Sequence, residues 1–450
     1  MVDAPPPSYE EVIRAEGAGI ENSYPNQSLR SAGSDLRFTF IDFTANCLIE
    51  KNKFFKCEYE KFCILIKEAN EWLAQNATFA VINCEVLCCQ KDGVSLPLQT
   101  DKSYQIPQTR TEQNGEVSTE YKYLNLVKFL RVYLRSKNPG EPLEADQIGH
   151  TCIQPTNRDK SMPSSYSYYS YDDTLIKFNS TNKACPVEGR INNVERIGLN
   201  REKNPEELKQ YEDSDKIFHV PLCTMVYYIR GQSADPRIPI ENADFIPAVI
   251  QNSSCFYFRK HESFTSLMSR IQTWVRTNSF INILNLQTIQ VSFNKAKRED
   301  VAYDPGYFRT KYTLKPYVRF IRIYFTRTFD AEPRPDFTIS CRTFLPALQS
   351  RTAKGRSPTF ETMSSLLRRE IFPFLQYNSK AKIINAETLP YLYKAKVDDM
   401  QSYTGDSEVY AYISCIRIFF EGLVTEPPPG YIPLSNHPRI YEDAEECCLL

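Results

Sequence analysis

Glycine and histidine are scarce in this 450-residue chain. Fifteen glycines leave little material for phosphate-cradling loops, and the 4 histidines (His150, His219, His261, His437) show no metal-ligand spacing. No G-x-S-x-G elbow, P-loop or dinucleotide fingerprint occurs, and the Cys84/Cys88/Cys89 cluster lacks a paired C-x-x-C. A non-enzymatic protein with no catalytic, cofactor-binding or metal residue is therefore expected. Charge of one sign is missing too: Lys+Arg 54 against Asp+Glu 55 leaves a net charge of −1, without the bulk attraction to phosphate backbones that nucleic-acid binding needs. No run reaches the roughly 18 apolar residues of a membrane span. The start, Met1-Val2-Asp3-Ala4-Pro5, has neither the basic region nor the apolar stretch of a secretory signal. Cytosolic synthesis is the expectation, with the 14 cysteines as free thiols that pack as small hydrophobes.

Tryptophan is rarest of all, and both copies fall in one repeated slot. Phe62, Trp72, Asn76 and Asn83 recur 202 positions later as Phe264, Trp274, Asn278 and Asn285. Leu267, Ile271, Trp274, Asn278 and Asn285 recur 100 positions later as Leu367, Ile371, Phe374, Asn378 and Asn385. The recurrence predicts a body of three copies of one small unit. In each copy the apolar residues recur at helical spacing (Phe62, Ile66, Ala69 and Leu73 in the first), predicting an amphipathic helix that ends at Asn76, Asn278 or Asn378. Pro373 predicts a kink or an early stop in the third helix.

A β-rich run follows each helix (Val81 to Leu87, Ile283 to Ile289, Ile383 to Leu389), and after a loop comes a second strand (Phe129 to Arg135, Phe320 to Phe325, Cys415 to Phe420). Further strand candidates are Leu36 to Phe43, Phe54 to Glu58, Ile217 to Ile229, Cys255 to Arg259 and Phe337 to Thr343. The expected fold class is α+β: three repeated β-α-β-β units, each with one amphipathic helix on an antiparallel sheet, flanked by disordered tails. The expected boundaries are a tail 1–35, units at 36–139, 216–335 and 336–424, a Ser/Tyr-rich linker at 140–215, and a flexible tail 425–450.

Arg131, Arg322 and Arg417 recur at one strand position, and Glu85, Gln287 and Glu387 face them on the partner strand. Cross-strand pairing, worth roughly 0.2–1 kcal/mol per pair, suffices to explain them. The sharper alternative is a binding surface that these arginines form with Tyr133, Tyr324 and Phe419. Trp72 and Trp274 read as the bulky anchors of their helices.

The ends carry the clearest functional signals. Pro5-Pro6-Pro7-Ser8-Tyr9 and Pro427-Pro428-Pro429-Gly430-Tyr431 each contain Pro-Pro-x-Tyr, where composition alone predicts about 0.1 occurrence in the chain. Consecutive prolines preset a polyproline II helix that docks in an aromatic groove while the tyrosine fills a second pocket. Pro6, Pro7 and Tyr9, with Pro428, Pro429 and Tyr431, resemble the ligands of WW domains, by which adaptors and substrates recruit HECT-type ubiquitin ligases. The resemblance implies such a ligase as partner, with avidity if two WW domains engage both copies.

The final Cys447-Cys448-Leu449-Leu450 is similar to a C-a-a-X box ending in leucine, which implies geranylgeranyl transfer to Cys447 and peripheral attachment at the cytosolic face of a membrane. Acidic Glu442, Asp443, Glu445 and Glu446 depart from the basic flank common in such tails. The leading expectation is an adaptor. The alternative is a self-assembling coat-like or matrix-like protein whose motifs recruit membrane-remodelling machinery.

Overall fold

A computed structural model describes residues 38–49, 58–90, 100–101, 104–105, 125–154, 171–198, 209–211, 218–231, 238–251, 260–292, 307–310, 317–327, 337–350, 359–392, 401–402 and 412–433. They form a mixed α+β body of small antiparallel sheets and four helices. One connectivity, strand-helix-strand-strand, occurs four times. Unit I has β1 (Phe38–Thr44), α1 (Phe62–Gln75), β2 (Phe79–Gln90) and β3 (Asn125–Ser136). Unit II has β4 (Ile148–Ile153), α2 (Tyr171–Ala184), β5 (Gly189–Gly198) and β6 (Phe218–Arg230). Unit III has β7 (Glu241–Phe245), α3 (Phe264–Thr277), β8 (Ile281–Ser292) and β9 (Tyr317–Arg327). Unit IV has β10 (Ile339–Phe344), α4 (the contiguous turns Met363–Leu366, Leu367–Ile371 and Phe372–Tyr377), β11 (Lys382–Leu392) and β12 (Tyr412–Glu421). In every unit the last strand lies in the middle, between the first and the second.

The expected linker 140–215 is thus corrected. It contains β4, α2 and β5, and β6, expected in the unit at 216–335, completes the sheet of unit II. The difference has a physical cause. Helix α2 is mostly polar and buries only Tyr171, Thr174, Leu175, Phe178 and Asn182. Its termini compensate: Asp172 and Asp173 in the first turn and Lys183 in the last complement the helix dipole.

The other helices form as their apolar spacing dictates. Helix α1 buries Phe62, Leu65, Ile66, Ala69, Trp72 and Leu73 on Leu130, Val132 and Leu134 of β3; each such large side chain contributes roughly 1.5–3 kcal/mol of burial. Asn76, Asn278 and Asn378 end α1, α3 and α4, each turning its side-chain amide back to the carbonyl four residues earlier. Helix α4 does not stop at Pro373. It runs as Met363–Leu366, a π-helical turn Leu367–Ile371, and Phe372–Tyr377. The wider turn immediately before the proline accommodates the missing donor that would otherwise break the ladder. The tryptophans are ring anchors, Trp72 beside Phe79 and Trp274 between Phe245 and Phe325.

The sheet face turned away from each helix meets the previous unit. Ile197, Cys223, Met225 and Tyr227 of unit II join the core of α1. Tyr324 of unit III joins that of α2, and Phe419 of unit IV that of α3. Phe38, Ile82 and Tyr133 of unit I join the core of α4, so the series closes on itself. The short strands inserted between the second and third strands follow the same rule. Lys209–Tyr211 of unit II pairs with β3, Tyr307–Thr310 of unit III with β6, Gln401–Ser402 of unit IV with β9, and Tyr104–Gln105 of unit I with β12. Four units, each lending a strand to the one before it, make a closed ring.

Candidate functional site

Strands β2, β5, β8 and β11 line the ring axis, each touching the next around the circle. Each carries Asn-x-Glu or Asn-x-Gln: Asn83/Glu85, Asn193/Glu195, Asn285/Gln287 and Asn385/Glu387. The asparagine amides bond head to tail. Asn83 donates to the carbonyl of Ala386 (2.7 Å), Asn193 to that of Cys84 (2.7 Å), Asn285 to that of Val194 (3.3 Å) and Asn385 to that of Leu286 (2.5 Å). Every acceptor is the residue after the neighbouring unit's own asparagine.

A second tier sits two residues along. Glu85 accepts from the Thr388 amide (3.0 Å), Glu195 from the Val86 amide (3.0 Å) and Glu387 from the Thr288 amide (2.8 Å), again each from the previous unit. Tyr133 and Tyr227 donate their hydroxyls to Glu85 (2.9 Å) and Glu195 (3.4 Å). Gln287 breaks the pattern, its Oε1 buried without a hydrogen-bond partner. Burial raises the carboxyls of all three glutamates, Glu85 to about 7, and for Glu195 the charge of Glu85 adds to the effect.

The recurrent arginines lie behind this belt. Register places Arg131 opposite Glu85, Arg322 opposite Gln287 and Arg417 opposite Glu387, as expected from the sequence. Their side chains turn instead to the first strand of the sheet. Arg131 forms a two-pronged pair with Asp42 (2.7 Å at each prong) and Arg322 with Asp244 (2.6 Å at each), while Arg417 donates to Thr343 (2.9 Å). Unit II replaces the pair by Cys152 opposite Met225. The aromatic rings of neighbouring helices cover two of the guanidiniums, Tyr171 over Arg322 and Phe264 over Arg417. Arg131, Arg322 and Arg417 are at most 1% exposed, so the binding surface entertained for them with Tyr133, Tyr324 and Phe419 does not exist. They hold adjacent units together.

At one pole of the axis the belt opens into a cavity of about 340 Å³. All four inner strands carry a β-bulge at the residue before the ring asparagine, and the bulged Ile82, Asn192, Leu284 and Ile384 line this cavity. A bulge re-aims a side chain, here toward the axis. Arg135, Arg190, Asn282, Lys382 and Glu421 are the other polar residues of the lining, with Lys382 paired to Glu421 (3.0 Å) and Arg135 to Glu141 (2.9 Å). Aliphatic Ile82, Leu284 and Ile384 thus meet polar Asn192 beneath a charged rim. Among the described residues no group of three or more His, Cys, Asp or Glu is placed to hold a metal ion, and no helix is long and apolar enough to cross a membrane.

Of the motif residues, Pro6, Pro7, Tyr9 and Cys447 lie outside the described residues. Pro428, Pro429 and Tyr431 lie within them. The segment after β12, expected as flexible from 425 onward, is folded as far as Pro433. Val424 and Ile432 pack on the α4 core, Asn378 exchanges two hydrogen bonds with the backbone of Thr425 (3.0 and 2.9 Å), and Arg342 meets Glu426 (3.0 Å). The chain matches no protein-family model, no curated protein and no solved structure. The ring residues most easily missed in the sequence were Asn193 and Glu195, although Asn193-Val-Glu195 repeats the spacing of Asn83-Cys-Glu85 and Asn385-Ala-Glu387.

Proposed function

We propose that this chain is a non-enzymatic adaptor whose ring carries two Pro-Pro-x-Tyr motifs that recruit a WW-domain ubiquitin ligase of the HECT type. The observation that carries this reading is the pair of motifs at Pro6-Pro7-Ser8-Tyr9 and Pro428-Pro429-Gly430-Tyr431, one before and one after the four units in the sequence. In the second, Tyr431 remains 41% exposed although its ring rests against Tyr377. The recurrent polar residues of the body support it indirectly, because Asn83, Glu85, Arg131 and their counterparts are spent on holding units together. Recognition is left to the flanks. Prenylation of Cys447 would bring the adaptor to the cytosolic face of a membrane, where proximity raises the effective concentration of ligase.

A pull-down comparing wild type with Tyr9→Ala/Tyr431→Ala tests the recruitment: the ligases should be lost from the double variant, and equal recovery would end the proposal. Intact-mass measurement of the C-terminus from a eukaryotic host decides the lipid. The self-assembling alternative draws less support. The head-to-tail contacts that would extend a filament are satisfied inside one chain, as expected when the rotation between units closes a circle. Sedimentation of a polymer would restore it.

A further inference from the structure

The second motif is folded. Pro428 to Tyr431 forms a tight turn, in which the Tyr431 amide donates to the Pro428 carbonyl (3.1 Å) and Gly430 adopts φ +87°. Proline at the second position and a left-handed glycine at the third are the requirements of a type II turn. A groove that reads Pro-Pro-x-Tyr needs the prolines extended and the tyrosine displayed beyond them. The turn folds the tyrosine back instead. Its ring packs edge-on against Tyr377 at the end of α4, with centroids 5.2 Å apart, while Asn378 of the same helix end holds Thr425.

We infer that the second motif is an autoinhibitory clasp: residues 424–432 bind the end of α4 in a conformation a WW domain cannot read, and become a ligand only when peeled off. The inference rests on the recruitment reading proposed above. Its consequence is a second motif withheld at rest and offered on release, so that unclasping adds one binding site and the avidity that comes with it. The x position of the motif is Gly430, the residue that pays no steric penalty for the turn. No atom comes within 4 Å of a Cβ built there, so replacing it strains only the backbone.

The test uses the full chain carrying Tyr9→Ala, which silences the first motif, titrated with an isolated WW domain beside a synthetic peptide of residues 422–436. The peptide should bind at least tenfold more tightly than the chain. Gly430→Ala or Tyr377→Ala in the chain should recover most of that difference, whereas Gly430→Ala in the peptide should change little. Equal affinity of chain and peptide overturns the clasp. If the peptide binds no WW domain, the recruitment reading fails at this motif and the clasp loses its regulatory meaning. Amide exchange at Tyr431 then still reports whether the turn exists, being slowed in the chain and restored by Tyr377→Ala; unprotected exchange in the parent chain also overturns it.

Discussion

Asn83 donates its side-chain amide to the carbonyl of Ala386, 303 residues away in sequence, and this bond joins the first unit to the last. The same bond recurs at the other three interfaces, but only here does it connect the two ends of the folded body. A solenoid of such units would leave one donor and one acceptor exposed at its termini; the ring leaves neither.

Asn83→Ala should therefore cost about 1–3 kcal/mol, the penalty of leaving a buried carbonyl unsatisfied. Asn285→Ala should cost a comparable amount: its bond to the Val194 carbonyl is long at 3.3 Å and its Oδ1 is without a partner, but its amide also donates to the Asn193 Oδ1 across the same interface. Urea denaturation of both variants checks this, and a loss at Asn285 far below that at Asn83 would mean that the second donation carries nothing.

Unit II shows how the Asp42–Arg131 pair could be replaced. Arg131→Met strands Asp42, a residue whose side chain is 9% exposed, and should cost about 3–5 kcal/mol. The double variant Asp42→Cys/Arg131→Met copies Cys152 opposite Met225 and should recover most of the loss. A double-mutant cycle measures the coupling. Some deficit should persist, because Arg131 also donates to Thr388 of unit IV (3.2 Å) and to the carbonyl of Thr100 (3.3 Å).

The glutamate tier predicts a stability that falls as pH rises. Burial raises the Glu85 carboxyl from 4.5 to about 7. Between these values the folded state binds the proton more tightly than the unfolded one, so the contribution is full below about pH 4.5 and lost by about pH 7. The difference amounts to about 3 kcal/mol at most. Glu195 and Glu387 shift in the same direction. Thermal melts across that window should show a flatter profile for Glu85→Gln than for wild type, and parallel profiles would refute the assignment.

Asp101 of unit I accepts from the backbone amide and the hydroxyl of Ser364 (2.7 Å each), capping α4 of unit IV across the closing interface. Asp101→Ala should cost about 1 kcal/mol. It should also speed hydrogen exchange at the Ser364 amide while leaving α1 and α3 unchanged. A uniform change across all helices would mean that the cap acts on global stability alone.

The sequence allowed three helices, their asparagine ends and the paired strands to be placed within a few residues, because apolar spacing and side-chain alternation are local. It hid the fourth unit behind a polar helix with no tryptophan. Even so, the first recurrence interval of 202 residues was about twice the second, and residues 83 to 193 to 285 divide it. It also made Arg131, Arg322 and Arg417 look available for binding. An arginine on a strand face reads alike whether it meets water or a neighbouring sheet.

Composition, helical period and strand alternation determined what three of the units are: a helix on an antiparallel sheet, with recurrent polar residues on the strand that became the inner one. Only the tertiary structure decided that four units close into a ring, that the arginines are interior, and that the second Pro-Pro-x-Tyr motif is folded against α4. The reason is physical. Local patterns report which face of an element is apolar, whereas closure depends on hydrogen bonds between residues some 300 positions apart, whose geometry is set by the sum of four packing rotations and leaves no mark on any short segment.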